Sequence, residues 1–180
     1  MGRWREAIRQ VLISETELQH RIQALGNAIT DDYRGKELVC VPVLQGALMF
    51  SADLARSIDI PLTIACITLS SYGDHQVSSG QVRVLQDLSE SIVDKHVLII
   101  EDIIDTGLTV HALRQHLLPR QPAGLDVCTL LEKRARRQVE VPIRYTGFDI
   151  PDTFVVGYGL DYQQRYRNLP FIGTLCPASS

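Results

Sequence analysis

The stretch that decides the fold is "VLIIEDIIDTGLTV", residues 97–110. It begins with aliphatic residues of the kind that fill a buried β-strand. Three carboxylates follow within five positions, Glu101, Asp102 and Asp105, and then comes a Thr-Gly-Leu-Thr sequence. Glycine after a strand marks a turn, and "TVHALRQHLL" beyond it has helical spacing. The stretch therefore predicts a strand, a turn and a helix, with the acidic residues at the carboxyl end of the strand.

Ligands of open α/β sheets bind at the carboxyl ends of the strands. Gly107 lets the backbone approach a ligand closely, and the exposed amides of a turn that enters a helix favour a phosphate. Glu101 and Asp102 can only accept hydrogen bonds when ionised, so they suit sugar hydroxyls. The stretch thus favours a polyol phosphate such as a ribose 5-phosphate. A solvated acidic strand end is the alternative, which one acid would satisfy better than three.

Strand and helix patterns alternate on either side of this stretch. Ser14 and Glu17 form a capping box that begins a helix over 14–33. Further strands are predicted at 37–44, 62–69, 82–88, 97–103 and 125–133, helices at 47–58 and 109–118, a polar loop at 70–81, and short strands within 133–180. This alternation predicts an α/β fold with a mostly parallel twisted sheet flanked by helices. Because no repeat or linker interrupts it, residues 1–180 are expected to form one domain.

The composition excludes several classes of function. The chain has 180 residues, of which 45% are apolar, and a net charge of −3, which gives no electrostatic reason to bind nucleic acid or an anionic membrane. The four cysteines form no CxxC pair, so reduced thiols in a cytoplasmic protein are expected. No signal peptide or membrane-spanning run is evident, and no dinucleotide or P-loop motif is present.

The stretch "VLIIEDIIDTGLT" resembles the phosphoribosyl-diphosphate motif of type I phosphoribosyltransferases. Four more segments resemble the bacterial 6-oxopurine branch of that family: "VLQGA" (43–47), "SSYGD" (70–74), "LLEKRARR" (130–137) and "IPDTFVVGYGLDYQQRYRNLPFIGTL" (150–175). The resemblance implies the family fold, with a small hood formed by the N- and C-terminal segments. It implies conversion of hypoxanthine, and of guanine, with 5-phosphoribosyl 1-diphosphate and Mg²⁺ to IMP or GMP and pyrophosphate. Assembly into dimers or tetramers is implied as well.

The resemblance also assigns roles within the opening stretch. Glu101 and Asp102 would hold the ribose 2′ and 3′ hydroxyls, directly or through water bound to the metal. Asp105 would lie near N7 of the purine as the catalytic general base or proton shuttle. The 5′-phosphate would bind the turn formed by Thr106, Gly107, Leu108 and Thr109. Leu108 stands where some relatives have lysine, which removes one positive charge but leaves the backbone amides.

Base recognition and metal binding are implied for the later segments. Lys133 would meet the purine O6, Phe154 would stack on the base, and Val155 would offer backbone groups to its edge. Asp161 would complete the magnesium ligands, and Arg167 would bind pyrophosphate. Without the resemblance, Lys133 would be interpreted as a solvated lysine and Phe154 as a core aromatic residue. Asp161 and Arg167 would be interpreted as ordinary surface residues.

Two loops complete the implied site. Leu44, Gln45 and Gly46 resemble the family's pyrophosphate loop, which often has a strained peptide between its first two residues. Gln45 replaces a basic residue found in some members. Residues 70–81 resemble a lid in which Ser71 and Tyr72 close over the diphosphate and exclude water. A flexible surface loop is the alternative for this segment.

Two other functions compete with the enzyme. A regulator of pyrimidine operons with the same fold would bind RNA, which requires a basic face. The basic run 133–137 is short and the net charge is negative, so RNA binding is disfavoured. A non-catalytic paralogue would have little reason to keep Glu101, Asp102, Asp105, Lys133 and Asp161 together. Hypoxanthine, guanine and xanthine all stay open as the preferred base.

Overall fold

The computed structural model describes residues 7–71 and 82–176. Its centre is a mostly parallel sheet with the strand order β5-β4-β2-β6-β7-β8, to which β3 adds beside β2. The strands are β1 Ile8–Ile13, β2 Leu38–Leu44, β3 Leu62–Ile64, β4 Ile67–Ser71, β5 Val82–Gln86, β6 His96–Ile104, β7 Gly124–Glu132, β8 Tyr145–Asp149 and β9 Ile172–Leu175. Among the described strands of this sheet, only β5 runs antiparallel. The predicted α/β fold is confirmed.

The strand β6 is central because aliphatic residues cover both of its faces. Leu98 and Ile100 belong to the core cluster on one face, and Val97 and Ile99 belong to the cluster on the other. All four side chains are fully buried. A strand covered on both sides needs apolar residues at every position, which is why it reads as a continuous run rather than an alternating one.

Among the described residues, three α-helices cover the sheet: α1 Glu15–Tyr33, α2 Leu48–Ser57 and α3 Leu108–Leu117. The predicted capping box is present, since Glu17 N donates to Ser14 Oγ and Ser14 N donates to Glu17 Oε2 at 2.8 Å. The apolar face of α1 is buried against the sheet through Leu18, Ile22, Leu25 and Ile29. In the described part of the chain, no helix is both long and apolar enough to cross a bilayer.

The prediction of one strand over 62–69 is wrong. Two short strands, β3 and β4, pair with β2 in the same register, Cys40 with Ile64 and Val43 with Ile67. Continuing that register places Pro42 opposite the gap between them. Because proline has no backbone N–H, the ladder loses a donor there and the strand is interrupted.

The N- and C-terminal segments meet in a second, two-stranded sheet, and the sequence patterns do not predict its N-terminal strand β1. β1 pairs antiparallel with β9, from Ile8 with Leu175 to Ile13 with Ile172. The segment 8–13 has no clean alternation, since its first five residues are exposed or half-buried, so periodicity gives no strand there. Val156 also bridges to Gly173, which ties the segment after β8 to this small sheet. This arrangement matches the predicted hood.

Candidate active site

At the acidic end of β6, Glu101 is buried and Asp102 and Asp105 are half-buried. Glu101 is only 5% exposed, and burial together with the neighbouring Asp102 carboxylate holds the pKa of Glu101 well above its usual value. Burial also raises the pKa of Asp102 to about 6, although the amide of Ile103 and the Arg167 guanidinium favour its ionised form. Two adjacent carboxylates in such an environment are favoured in their ionised forms only when a hydrogen-bond donor or a cation compensates their negative charge. The alternative of a solvated strand end is therefore wrong.

The loop after β2 packs directly against this acidic pair. The peptide bond between Leu44 and Gln45 is cis, at the position to which the resemblance assigns an unusual peptide. Gly46 has no room for a side chain, because a Cβ there would lie 1.8 Å from Asp102 Oδ2. The backbone of the candidate pyrophosphate loop and the candidate ribose-binding acid thus form one surface.

The turn into α3 presents free backbone donors. Gly107 adopts φ 85°, a left-handed conformation that favours glycine, and its carbonyl accepts from His111 N at 2.9 Å. The amides of Thr109 and Val110 make no hydrogen bond with another described residue. They line a cleft of 190 Å³ together with Glu101, Asp102, Ile103, Ile104, Asp105, Thr106 and Gly107. Leu108 of the predicted phosphate turn does not line this cleft.

The segment after β8 brings Asp161 and Arg167 to the same edge. Arg167 Nη2 lies 2.8 Å from Asp161 Oδ1, and Arg167 Nη1 donates to Gly159 O at 2.6 Å. Gly159 in turn packs on Gly46, since a Cβ at residue 159 would lie 2.1 Å from Gly46 O. A second cavity of 310 Å³ is lined by Leu44, Gln45, Leu48, Met49, Gly159 and Arg167. Leu44, Gln45 and Arg167, which are predicted to contact pyrophosphate, thus line one cavity.

Lys133 is buried at the end of β7, with 7% of its surface exposed. Its backbone amide donates to Ile104 O at 3.0 Å, which fixes it beside the acidic end of β6. Its ammonium nitrogen lies 3.6 Å from Asp152 Oδ1. The alternative of a solvated lysine is therefore wrong.

The two residues predicted to meet the flat part of the base differ in burial. Phe154 is 57% exposed and contacts Tyr162 edge to face, with ring centroids 5.8 Å apart. The interpretation of Phe154 as a core aromatic residue is wrong. Val155 is buried, and neither its amide nor its carbonyl bonds to another described residue. One exposed ring and one unpaired backbone edge are suited to a planar heterocycle.

The predicted lid is described only at its start. Ser71 ends β4, where its backbone pairs with Val82 of β5. Tyr72 and the remainder of the predicted lid, through residue 81, lie outside the described residues.

The basic run after β7 is neutralised within the protein. Arg137 Nη2 bonds Glu132 Oε1 at 2.8 Å, and Arg134 Nε lies 3.3 Å from Asp149 Oδ2. Arg136 pairs with carboxylates as well. A run whose charges are paired in this way gives no free basic face for RNA.

Sequence reasoning missed Arg136 and Asp152. Arg136 Nε lies 3.1 Å from Asp105 Oδ1, and Arg136 Nη1 donates to Asp152 Oδ1 at 3.3 Å. Both residue types are common on surfaces, so nothing in their local pattern marks them. The only available signal is that four basic residues within 133–137 require carboxylate partners.

Comparisons with known proteins identify the family of the chain. A family model described as the phosphoribosyl transferase domain matches residues 9–163. Hypoxanthine phosphoribosyltransferase of Haemophilus influenzae is 52% identical over 166 residues, which cover 91% of this chain and 93% of the relative. Hypoxanthine-guanine phosphoribosyltransferase of Staphylococcus aureus is 46% identical over 170 residues, covering 94% and 95%. A crystal structure of a hypoxanthine phosphoribosyltransferase from Staphylococcus aureus matches with a TM-score of 0.94 at 45% identity, covering 98% of this chain and 96% of that one.

Proposed function

The chain belongs to the phosphoribosyltransferase family, and from this we propose that it transfers the phosphoribosyl group of 5-phosphoribosyl 1-diphosphate to hypoxanthine and to guanine. The products are IMP or GMP and pyrophosphate. The observation that carries the proposal is the contact between the half-buried Asp102 carboxylate and Gly46 of the loop after β2. It joins an acceptor for sugar hydroxyls to the backbone that would hold the diphosphate.

The acidic pair supports the loss of pyrophosphate. As the bond between C1′ and the diphosphate oxygen breaks, positive charge develops on the ribose ring. Buried carboxylates stabilise such charge strongly because little solvent screens them. Glu101 and Asp102 would accept hydrogen bonds from the ribose hydroxyls, and the amides of Thr109 and Val110 would bind the 5′-phosphate. Arg167 would interact with the departing pyrophosphate.

The purine would be held between the ends of β6 and β7. Lys133 would donate to O6, Phe154 would stack on the ring, and Val155 would bond the edge of the base through its backbone. As N9 forms its bond to C1′, the proton on N7 would pass to Asp105. Asp105 lines the cleft and is 38% exposed, so a substrate proton can reach it.

The donor set fits Mg²⁺. The candidates Glu101, Asp102 and Asp161 offer carboxylate oxygens, which this hard cation prefers. The raised pKa values of Glu101 and Asp102 indicate that a nearby cation would stabilise their ionised forms. In the described part of the chain, no group of three or more His, Cys, Asp or Glu forms a metal cage. Bound magnesium would therefore share its coordination with phosphate oxygens and water, and would neutralise charge on the diphosphate.

A substrate panel tests the proposal. Hypoxanthine, guanine, xanthine and adenine are each incubated with 5-phosphoribosyl 1-diphosphate, with and without Mg²⁺, and nucleotide formation is followed. We expect IMP and GMP only when magnesium is present. Folded protein that forms no nucleotide from any 6-oxopurine would refute the proposal, and tight binding of a single-stranded RNA in its place would favour the regulator.

Self-association into a dimer or tetramer belongs to the same proposal and is measured by analytical ultracentrifugation.

A further inference from the structure

Arg136 connects the two groups proposed to meet the purine. Its Nε lies 3.1 Å from Asp105 Oδ1, and its Nη1 lies 3.3 Å from Asp152 Oδ1. The same Asp152 oxygen is 3.6 Å from Lys133 Nζ. Charges of alternating sign therefore run from Asp105 through Arg136 and Asp152 to Lys133. This series of ion pairs joins the ends of β6 and β7 without passing through the core.

The contact on Asp105 is suited to orienting it. Asp105 Oδ1 is shielded from solvent, yet it makes no hydrogen bond, since Arg136 approaches at ion-pair distance without hydrogen-bond alignment. The guanidinium therefore attracts one oxygen of the carboxylate and leaves hydrogen-bonding capacity for a substrate proton. A planar guanidinium can face two carboxylates at once, whereas an ammonium is a single point charge.

Stability alone does not account for this arrangement. The side chains of Arg136, Asp105 and Asp152 are 49%, 38% and 50% exposed, and ion pairs at such exposure contribute little to folding. Arg134 of the same 3₁₀ turn, Arg134–Arg136, offers a matched comparison. It is ion-paired with Glu132 and Asp149, and neither of these is a candidate for contact with the base.

We propose that Arg136 is a positioning residue for phosphoribosyl transfer, holding Asp105 in the orientation that receives the purine proton. Asp152 ties Arg136 to Lys133, so that the group that reads O6 and the group that accepts the N7 proton are set as one unit. The inference rests on the proposed function and adds to it a residue that does not itself contact the substrate.

The test compares Arg136→Gln with Arg134→Gln in steady-state kinetics with hypoxanthine. Because a misplaced catalytic group lowers the rate rather than substrate affinity, Arg136→Gln should reduce kcat roughly tenfold and leave KM for 5-phosphoribosyl 1-diphosphate within about twofold. Arg134→Gln should match wild type. Arg136→Lys should recover part of kcat, since it restores the charge but not the fork.

A double-mutant cycle separates orientation of Asp105 from a general effect. In an Asp105→Asn background, Arg136→Gln should lower kcat no further, because the carboxylate it orients is already gone. Effects that multiply, or an Arg136→Gln variant that matches Arg134→Gln, would overturn the inference. So would a melting temperature for Arg136→Gln far below that of Arg134→Gln, which would make Arg136 structural. If wild type forms no nucleotide, the proposed function fails first and the inference falls with it.

Discussion

The carboxylate of Asp102 fills the space where a side chain on residue 46 would begin, since a Cβ on Gly46 would lie 1.8 Å from Asp102 Oδ2. Gly46→Ala must therefore displace either the acid or the loop. We expect kcat/KM for 5-phosphoribosyl 1-diphosphate to fall by about 10²-fold, because small displacements of positioned groups have effects of that size. Steady-state kinetics and calorimetric titration of the diphosphate sugar measure the effect.

Gly26→Ala is the matched control for that substitution. A Cβ on Gly26 would lie 2.4 Å from Ser57 O, where α1 packs against the end of α2, away from the cleft. It should lower the free energy of unfolding by about 1–3 kcal/mol through overpacking, while the folded enzyme keeps its KM. An unchanged KM for the diphosphate sugar in Gly46→Ala would show that the loop and the acid move apart without consequence.

Asp105→Asn tests the proposed proton acceptor. Asparagine keeps the shape of the side chain but is a far weaker base, so kcat should fall by ~10²–10⁴. Affinity for the diphosphate sugar should hold, since Asp105 is not among the residues proposed to bind it. Asp31→Asn, an exposed carboxylate at the far end of α1, is the control. Weakened binding with kcat preserved would instead make Asp105 a residue that positions the ligand.

Much of the fold is predictable because its signals are local. The run 97–110 carries its strand, its acids and its turn within one segment, and the box of Ser14 and Glu17 is complete within four residues. Local signals of this kind need no knowledge of what packs against them. For the same reason, the sequence alone locates the acidic pair and the turn that is proposed to bind phosphate.

Features that depend on distant partners were not predictable. β1 exists because β9 pairs with it, and the break between β3 and β4 lies opposite Pro42 of another strand. The ion pair of Arg136 with Asp105 joins residues from two different strand ends, and neither residue's neighbours in sequence mark it. Tertiary packing sets such contacts, and neither hydrophobic periodicity nor residue propensity carries information about it.

A prediction on stability concerns Asp87, which follows β5. It accepts from the Leu88 amide at 2.7 Å, lies 2.8 Å from His116 Nε2, and pairs with Arg120. Burial alone would raise the pKa of Asp87, but these hydrogen bonds outweigh it and hold the pKa below its usual value. A carboxyl group whose pKa is lower in the folded state stabilises the fold fully above its unfolded pKa of about 4. That stabilisation is lost as the pH falls through the folded pKa.

Asp87→Asn should therefore lower the free energy of unfolding by about 0.5–1 kcal/mol at pH 7, a value reduced for partial exposure. The difference from wild type should shrink as the pH falls below about 4. Denaturant unfolding at several pH values measures it, and Asp31→Asn, whose ion pair with Arg34 is largely exposed, should show no difference at any pH. A difference that persists undiminished under acid conditions would contradict the linkage.

Lys133 predicts the choice of base. Its buried ammonium has donors only, so it can bond the O6 acceptor of hypoxanthine but opposes the donor amine of adenine. Sites built on such a bond reject a mismatched analogue by ~10⁴–10⁵. Lys133→Met removes the donor at similar length, so it should abolish most activity with hypoxanthine and guanine and raise the adenine-to-hypoxanthine ratio of kcat/KM. Lys95→Met, which removes an ion-paired lysine at the opposite end of β6, should leave that ratio unchanged. If the ratio also stays constant in Lys133→Met, the base is chosen elsewhere, and the unpaired backbone of Val155 becomes the candidate.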